Sequence, residues 1–370
     1  MAFMVSFGAT LPVLPRYVSD GLGESDVAVG VVMGATAVSA IVLRPAIGRL
    51  GDVLMVGGAL VPALGMAAHV PADSVADLIG ARLVVGVGQG ALFVGAATLV
   101  NDLAPPDRRG EAASVFSVAI YVGLGFGPFL GEWLLGRSSY DTVWWAVTGG
   151  LVVAAAIGLA APSGLDASDH AEPPVRRTGI ERLLHPAAVG PGVVLFLGVI
   201  GFIGFNSFVP LHGEEIGLDD VAAVFLLFSF VVLSVRLTGS RLPDAHGPVV
   251  IGTVALAASS VGLLGIAAWR DPIGLYVFTV PLAVGSALLY PALMAAAVNS
   301  APDNERSSAV ATFTMFFEVA TAIGGAVLGV VAYVTSYSGA FAAGACFSLA
   351  GLAFLRVWLK PRLGTVGSPA

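Results

Sequence analysis

Twelve long apolar segments are the feature of this sequence that most restricts its fold. About twenty apolar residues in a helix, at about 1.5 Å each, cross the roughly 30 Å hydrocarbon core of a bilayer. Of the 370 residues, 57% are hydrophobic and 11% are charged, whereas soluble domains carry roughly a quarter charged residues. The sequence therefore predicts an all-α membrane protein with twelve transmembrane helices. The predicted segments are 1–16, 27–46, 53–70, 78–99, 111–134, 141–162, 190–210, 220–238, 248–268, 273–299, 307–333 and 339–358.

Two short sequence motifs are each repeated about half a chain length later. Arg44–Asp52 reads RPAIGRLGD, and Arg236–Asp244 reads RLTGSRLPD. The polar stretches Pro105–Gly110 and Pro302–Ser307 are separated by nearly the same offset. Two unrelated motifs that repeat at one spacing indicate a duplicated architecture.

A polar linker divides the predicted helices into two sets of six. Residues 163–189 hold several acidic residues, arginines and prolines, whereas most other connections are short. We therefore predict an N-terminal six-helix bundle over 1–162, a cytoplasmic linker over 163–189 and a C-terminal bundle over 190–370.

The distribution of basic residues predicts the orientation in the membrane. Thirteen Lys and Arg residues fall after even-numbered segments, and three fall after odd-numbered segments. Basic residues are retained on the cytoplasmic side, so we expect a multi-pass protein of the cell membrane with both termini in the cytoplasm.

Three motifs resemble those of the major facilitator superfamily of secondary transporters. Gly48–Asp52 resembles its signature between helices 2 and 3, and Arg82 with Gly86–Gly90 resembles its helix-4 motif. Gly123–Gly131 is similar to the helix-5 motif of its proton-linked drug antiporter branch. The resemblance implies two pseudo-symmetric six-helix bundles, a small-molecule substrate, proton coupling and a monomer. The loop after Asp52 is shorter than the family pattern.

The helix-5 motif has a structural interpretation of its own. Gly123, Gly127 and Gly131 recur every four residues, so they share one helix face on which a neighbouring backbone can approach closely. Pro128 removes a backbone hydrogen bond and bends the helix. We expect close packing here rather than contact with a substrate.

Three ionisable residues stand out inside predicted helices, where a charge costs several kcal/mol unless it faces a cavity or partner. Glu318, about 18 Å along its helix from Arg306, is predicted to be a proton or cation site near the midplane. Arg82 is a second candidate for proton coupling, with anchoring at the membrane surface as the alternative. Glu132 is either an interfacial residue or a third candidate.

The repeated RPAIGRLGD and RLTGSRLPD stretches suggest a cytoplasmic gate. Arginine and carboxylate at helix ends can pair with each other and with helix N-termini; the alternative is that the arginines anchor the helices at lipid headgroups. The candidate gate residues are Arg44, Gly48, Arg49, Asp52, Arg236, Arg241 and Asp244.

Polar and aromatic residues in helices 4, 7 and 10 are candidates for contact with the substrate, because the family lines its cavity with these helices. Aromatic faces suit lipophilic or cationic ligands; the alternative is that the rings face lipid or another helix. The candidates are Gln89, Phe202, Phe205, Asn206 and Tyr290.

Other classes of function find little support. We expect no metal site, because no histidine has the spacing of a helical zinc site, and no cofactor, catalytic residue or nucleic-acid partner. The prediction is proton-coupled efflux of a small amphipathic molecule. The alternatives are uptake by proton symport and a transport-inactive protein that senses a ligand.

Overall fold

The computed structural model describes residues 1–47, 53–103, 109–159, 184–218, 220–239, 246–302 and 305–359. These ranges form twelve α-helices of 15 to 30 residues. The helices are α1 Ala2–Arg16, α2 Asp26–Ile47, α3 Val53–Ala67, α4 Val75–Leu103, α5 Arg109–Leu135, α6 Tyr140–Leu159, α7 Pro186–Glu215, α8 Ala222–Gly239, α9 Pro248–Ala268, α10 Pro272–Asn299, α11 Arg306–Val334 and α12 Tyr337–Phe354.

Local sequence explains where several helices begin. α10 starts at Pro272, whose fixed φ suits the first turn of a helix, and α7 and α9 also begin with proline. The Asp271 carboxylate accepts a hydrogen bond of 2.8 Å from the Ile273 amide. Ser336 caps α12 in the same way, at 3.1 Å from the Gly339 amide. Such caps satisfy amides that have no partner within the helix.

The helices belong to two compact units. Unit 1 comprises Met1–Pro173 and Asp219–Ser229, and unit 2 comprises Pro174–Leu218 and Phe230–Ala370. Helix α8 therefore contributes its first part to unit 1 and the remainder to unit 2.

Four pairs of helices recur in both units, whereas α2 with α4 in unit 1 and α7 with α10 in unit 2 have no comparable counterpart among the described residues. In unit 1, α1 packs on α5 and α6, and α3 packs on α4 and α6. In unit 2, α7 packs on α11 and α12, and α9 packs on α10 and α12. Adding six to each label of the first set produces the second set, as a duplicated architecture predicts.

The predicted all-helical fold is confirmed over the described residues, since each predicted segment contains one helix. Seven helices, α6 to α12, are long and apolar enough to cross a membrane, judged on those residues alone. Helix α7 is longer than its predicted segment 190–210. It begins inside the predicted linker because Pro186 and the cap from His185 start a helix there, and it continues through a polar last turn to Glu215.

Candidate functional site

Arg82 is a buried cation in unit 1. It lies about two turns into α4, and 1% of its surface is exposed. Its guanidinium carbon lies 5.7 Å from the centroid of the Phe7 ring on α1, which is a cation–π distance. Neither Nε nor Nη1 has a hydrogen-bond partner in the part of the chain described. The structure thus places a positive charge with two unused donors inside unit 1.

His69 lies in the turn after α3, where the charge of Arg82 acts on it. Its Nδ1–H donates to the Gly65 carbonyl oxygen at 2.8 Å, and its ring centroid lies 5.0 Å from that of Trp144 on α6. Burial, followed by the charge of Arg82, lowers the pKa of His69 to about 4. His69 is therefore neutral at pH 7 and adds no second charge. Within the described ranges, His69 Nε2 and Trp144 Nε1 also lack hydrogen-bond partners.

Tyr17 covers this polar cluster from the turn that follows α1. Its ring centroid lies 5.8 Å from that of Trp144 and 5.0 Å from that of Tyr140. Its hydroxyl donates to the Ala72 carbonyl oxygen at 2.6 Å. Helix α1, the α3–α4 connection and helix α6 are therefore held together around Arg82 and His69.

Glu132 forms an ion pair at the predicted outer end of unit 1. Its Oε2 lies 3.5 Å from Arg16 Nη2, and 2% of its side chain is exposed. Both residues line a cavity of about 550 Å³. Asp20 and Asp220 also line it, so three carboxylates face one guanidinium, and their net negative charge favours cations. The other lining residues are Leu135, Gly136, Ser138, Ser139 and Tyr140.

The glycine face of α5 packs against α1. A Cβ on Gly131 would overlap the carbonyl oxygen of Ala9 on α1, and side chains on Gly123 and Gly127 would overlap the same helix. Pro128 is buried within the same stretch of α5. Because only glycine leaves room for this approach, the motif brings two helix backbones into contact.

Glu318 lies in unit 2, near an aromatic cluster. It is half-buried in the middle of α11. The ring of Tyr290 on α10 meets the edges of Phe313 and Phe317 at centroid distances of 5.3 and 6.2 Å. The structure therefore brings Tyr290, a predicted substrate contact, to the turn of α11 that carries Glu318.

The other predicted substrate contacts lie in two helices. In α7, Phe205 is fully buried and Phe202 is half-buried. The Asn206 side chain donates to the Phe202 carbonyl oxygen at 2.9 Å, which satisfies part of its amide within its own helix. Gln89 is half-buried in α4 of unit 1, and its Oε1 accepts no hydrogen bond from the described residues.

Most of the predicted cytoplasmic gate lies outside the described residues. Gly48, Arg49, Asp52, Arg241 and Asp244 are in the undescribed ranges, and only the backbone of Arg44 is described. Arg236 lies in the last turn of α8, where its side chain is half-buried. The gate stays a prediction.

Two polar contacts in unit 2 were not predicted. His185 Nε2 donates to Glu305 Oε2 at 3.0 Å and so joins the starts of α7 and α11. His212 Nδ1 lies 3.4 Å from Glu215 Oε2, and Glu215 Oε1 accepts from Arg270 at 2.9 Å. The spacing of His212 and Glu215 is visible in the sequence, but the His185 partner is 120 residues away.

Comparisons with known proteins identify relatives along the whole chain. The profile of the Major Facilitator Superfamily matches residues 1–280 and 239–369. An uncharacterized MFS-type transporter of Salmonella typhimurium is 24% identical over 369 residues, covering 96% of this chain and 93% of the relative. A similar transporter of Burkholderia mallei is 28% identical over 388 aligned positions, covering 99% and 91%.

Solved structures show the same fold. The peptide transporter POT superposes with a TM-score of 0.81 at 14% identity, covering 99% of this chain and 93% of the other. The nucleoside transporter NupG superposes with a TM-score of 0.77 at 13% identity, covering 96% and 98%. Identities this low show the fold alone. The profile match over nearly the full length establishes that the chain belongs to the Major Facilitator Superfamily of multi-pass membrane transporters.

Proposed function

We propose that this protein is a proton-coupled antiporter that exports a small amphipathic molecule by alternating access. The observation that carries the proposal is the half-buried Glu318 in the middle of α11. A carboxyl group at bilayer depth persists where it has a functional partner or faces a cavity. In this proposal Glu318 carries the proton.

The aromatic cluster supports an amphipathic substrate. Tyr290 and Phe317 are half-buried beside Phe313, and aromatic faces attract lipophilic and cationic groups. Phe202 and Asn206 of α7 are further proposed contacts in unit 2, and Gln89 is one in unit 1. Phe205 would reach a substrate only after rearrangement, because it is fully buried.

Two other buried charges have proposed roles in the cycle. Arg82 acts through its charge, as a charge partner or a pKa modulator in proton coupling. Glu132, paired with Arg16 at 3.5 Å, is a second proton-accepting candidate beside the acidic cavity. The division into bundles at 1–162 and 190–370, joined by the linker 163–189, supplies the two halves that rock against each other.

The direction of transport rests on the helix-5 motif. Its resemblance to the drug antiporter branch favours export, and the close approach of Gly131 to Ala9 supports a packing role for its glycines. The competing proposal of uptake by symport predicts proton movement in the same direction as the substrate.

The test is proton release from purified protein in liposomes on addition of lipophilic cations and common metabolites. We expect a signal for a cation in the wild type and its loss in Glu318→Gln, because the amide cannot carry a proton. Glu24→Gln is the matched control, since Glu24 is exposed in a loop. Proton uptake on addition of a metabolite would support the symport proposal and contradict the antiport proposal. If the folded protein releases no protons with any compound of the panel, the ligand-sensing alternative is favoured.

A further inference from the structure

We propose that Arg82 is the centre of a binding site for a small anionic group inside unit 1, either a free halide or the carboxylate of an organic molecule. The site goes beyond the proton-export proposal, in which Arg82 acts only through its charge. Its donors are the Arg82 guanidinium and the Trp144 indole N–H, since the single N–H of the neutral His69 is already given to the Gly65 carbonyl oxygen.

The first argument is the unbalanced charge of Arg82. The residue is 1% exposed, and none of the ion pairs in the described ranges includes it. A buried charge without a counter-charge is strongly unfavourable, because the desolvation of the ion is not offset. The neighbouring His69 is neutral or cationic in either of its protonation states, so it cannot supply a negative charge. A bound anion would supply the missing charge.

The second argument is the set of unused donors. Arg82 Nε and Nη1 and Trp144 Nε1 are buried N–H groups without an acceptor among the described residues. The ring of Phe7 lies under the guanidinium at 5.7 Å and so covers one face, while the N–H bonds point outward in the guanidinium plane. Planar donors of this kind bind halides and carboxylates through charge-assisted hydrogen bonds.

Gln89 is a second polar residue on the face of α4 that carries Arg82. Gln89 follows Arg82 by seven residues, which places both on one face of the helix, and Gln89 lies at the middle of the helix. The Oε1 atom of Gln89 is also without a hydrogen-bond partner in the described ranges. No acidic residue lies between Arg82 and Gln89, whereas the cavity beside Glu132 is lined by carboxylates whose charge would repel an anion.

The experiment measures binding to the purified full-length protein in detergent, without a proton gradient. The probes are radiolabelled chloride, competed by acetate, and thermal unfolding in matched concentrations of chloride, acetate and the bulky anion gluconate. We expect chloride and acetate to bind and to raise the unfolding temperature of the wild type. Arg82→Gln should lose at least about tenfold in affinity, because charge-assisted hydrogen bonds are lost.

Two further variants keep the result interpretable. Arg137→Gln is the matched control, because Arg137 is exposed and lies over Trp133 at 4.5 Å; it should bind anions as the wild type does. Arg82→Lys keeps the charge but loses the planar donors, so it should bind with intermediate affinity even if Arg82→Gln does not fold.

The outcomes distinguish a site for a free halide from a site for the carboxylate of an organic molecule. Chloride binding that acetate displaces indicates a general small-anion site, whereas acetate stabilisation without chloride binding indicates a carboxylate site. The proposal is overturned if the wild type responds to neither anion, or if Arg82→Gln and Arg82→Lys both bind as Arg137→Gln does. The binding measurement uses no proton gradient and no transport, so a failure of proton export leaves this result intact.

Discussion

Burial, with a smaller contribution from the charge of Arg82, determines the protonation state of His69 in unit 1. His69 is completely buried, and burial with the charge of Arg82 lowers its pKa from 6.5 to about 4. The unfolded chain binds a proton at this histidine below about pH 6.5, whereas the folded protein does so only near pH 4. Protons therefore favour the unfolded state within this window.

The pH dependence of stability should report this burial directly. As the pH falls from 6.5 to about 4, His69 should remove about 3 kcal/mol from the free energy of unfolding. His69→Phe keeps a ring against Trp144 and should be less sensitive to acid over that range. Thermal unfolding in detergent from pH 7 to about pH 4 measures the difference.

The matched control for this prediction is His246→Phe, because His246 is exposed in unit 2. It should leave the acid sensitivity of the wild type unchanged. Equal acid sensitivity in His69→Phe and the wild type would show that His69 does not remain neutral in the folded protein.

Helix α5 shows how a repeated small residue positions a whole element. Gly131 and Gly149 are both helical glycines, but a Cβ on Gly131 would overlap the Ala9 carbonyl oxygen, and a Cβ on Gly149 would meet no atom within 4 Å. Alanine at either position gains up to about 1 kcal/mol of helix propensity. Only at Gly131 does the new methyl group force α1 and α5 apart.

The two substitutions should therefore have opposite effects. Gly131→Ala should lower the free energy of unfolding by about 1–3 kcal/mol through overpacking, and Gly149→Ala should raise it by about 0.5–1 kcal/mol. Thermal unfolding of both variants in the same detergent is the measurement. A Gly131→Ala protein as stable as Gly149→Ala would show that α1 and α5 do not approach so closely.

Patterns along one helix were predictable, but their partners in other helices were not. The four-residue glycine spacing indicated a packing face on α5, and the apolar context of Arg82 marked it as exceptional. Nothing in the sequence showed that α1 covers the glycines, or that His69 and Trp144 approach each other from α3 and α6. Such neighbours depend on tertiary packing, as does the contact of His185 with Glu305 across 120 residues.

At the scale of the whole molecule, the repeated packing pairs support two structurally related halves. The pairs α1 with α5 and α3 with α4 recur as α7 with α11 and α9 with α10. Related halves of this kind are the usual basis of alternating access. Which side of the membrane each helix end faces depends on the distribution of basic residues, which predicts a cytoplasmic linker and an outer α5–α6 connection.

Cysteine labelling tests this orientation in intact cells. The exposed Cys346 is first replaced by alanine, and single cysteines are then introduced as Ser138→Cys, in the exposed α5–α6 connection, and as Ser168→Cys, in the predicted linker. A membrane-impermeant maleimide should label Ser138→Cys directly and Ser168→Cys only after permeabilisation. The reverse pattern would invert the topology. The result also decides which membrane surface Arg82 lies nearer, because Arg82 lies about two turns from the end of α4 that follows the α3–α4 connection.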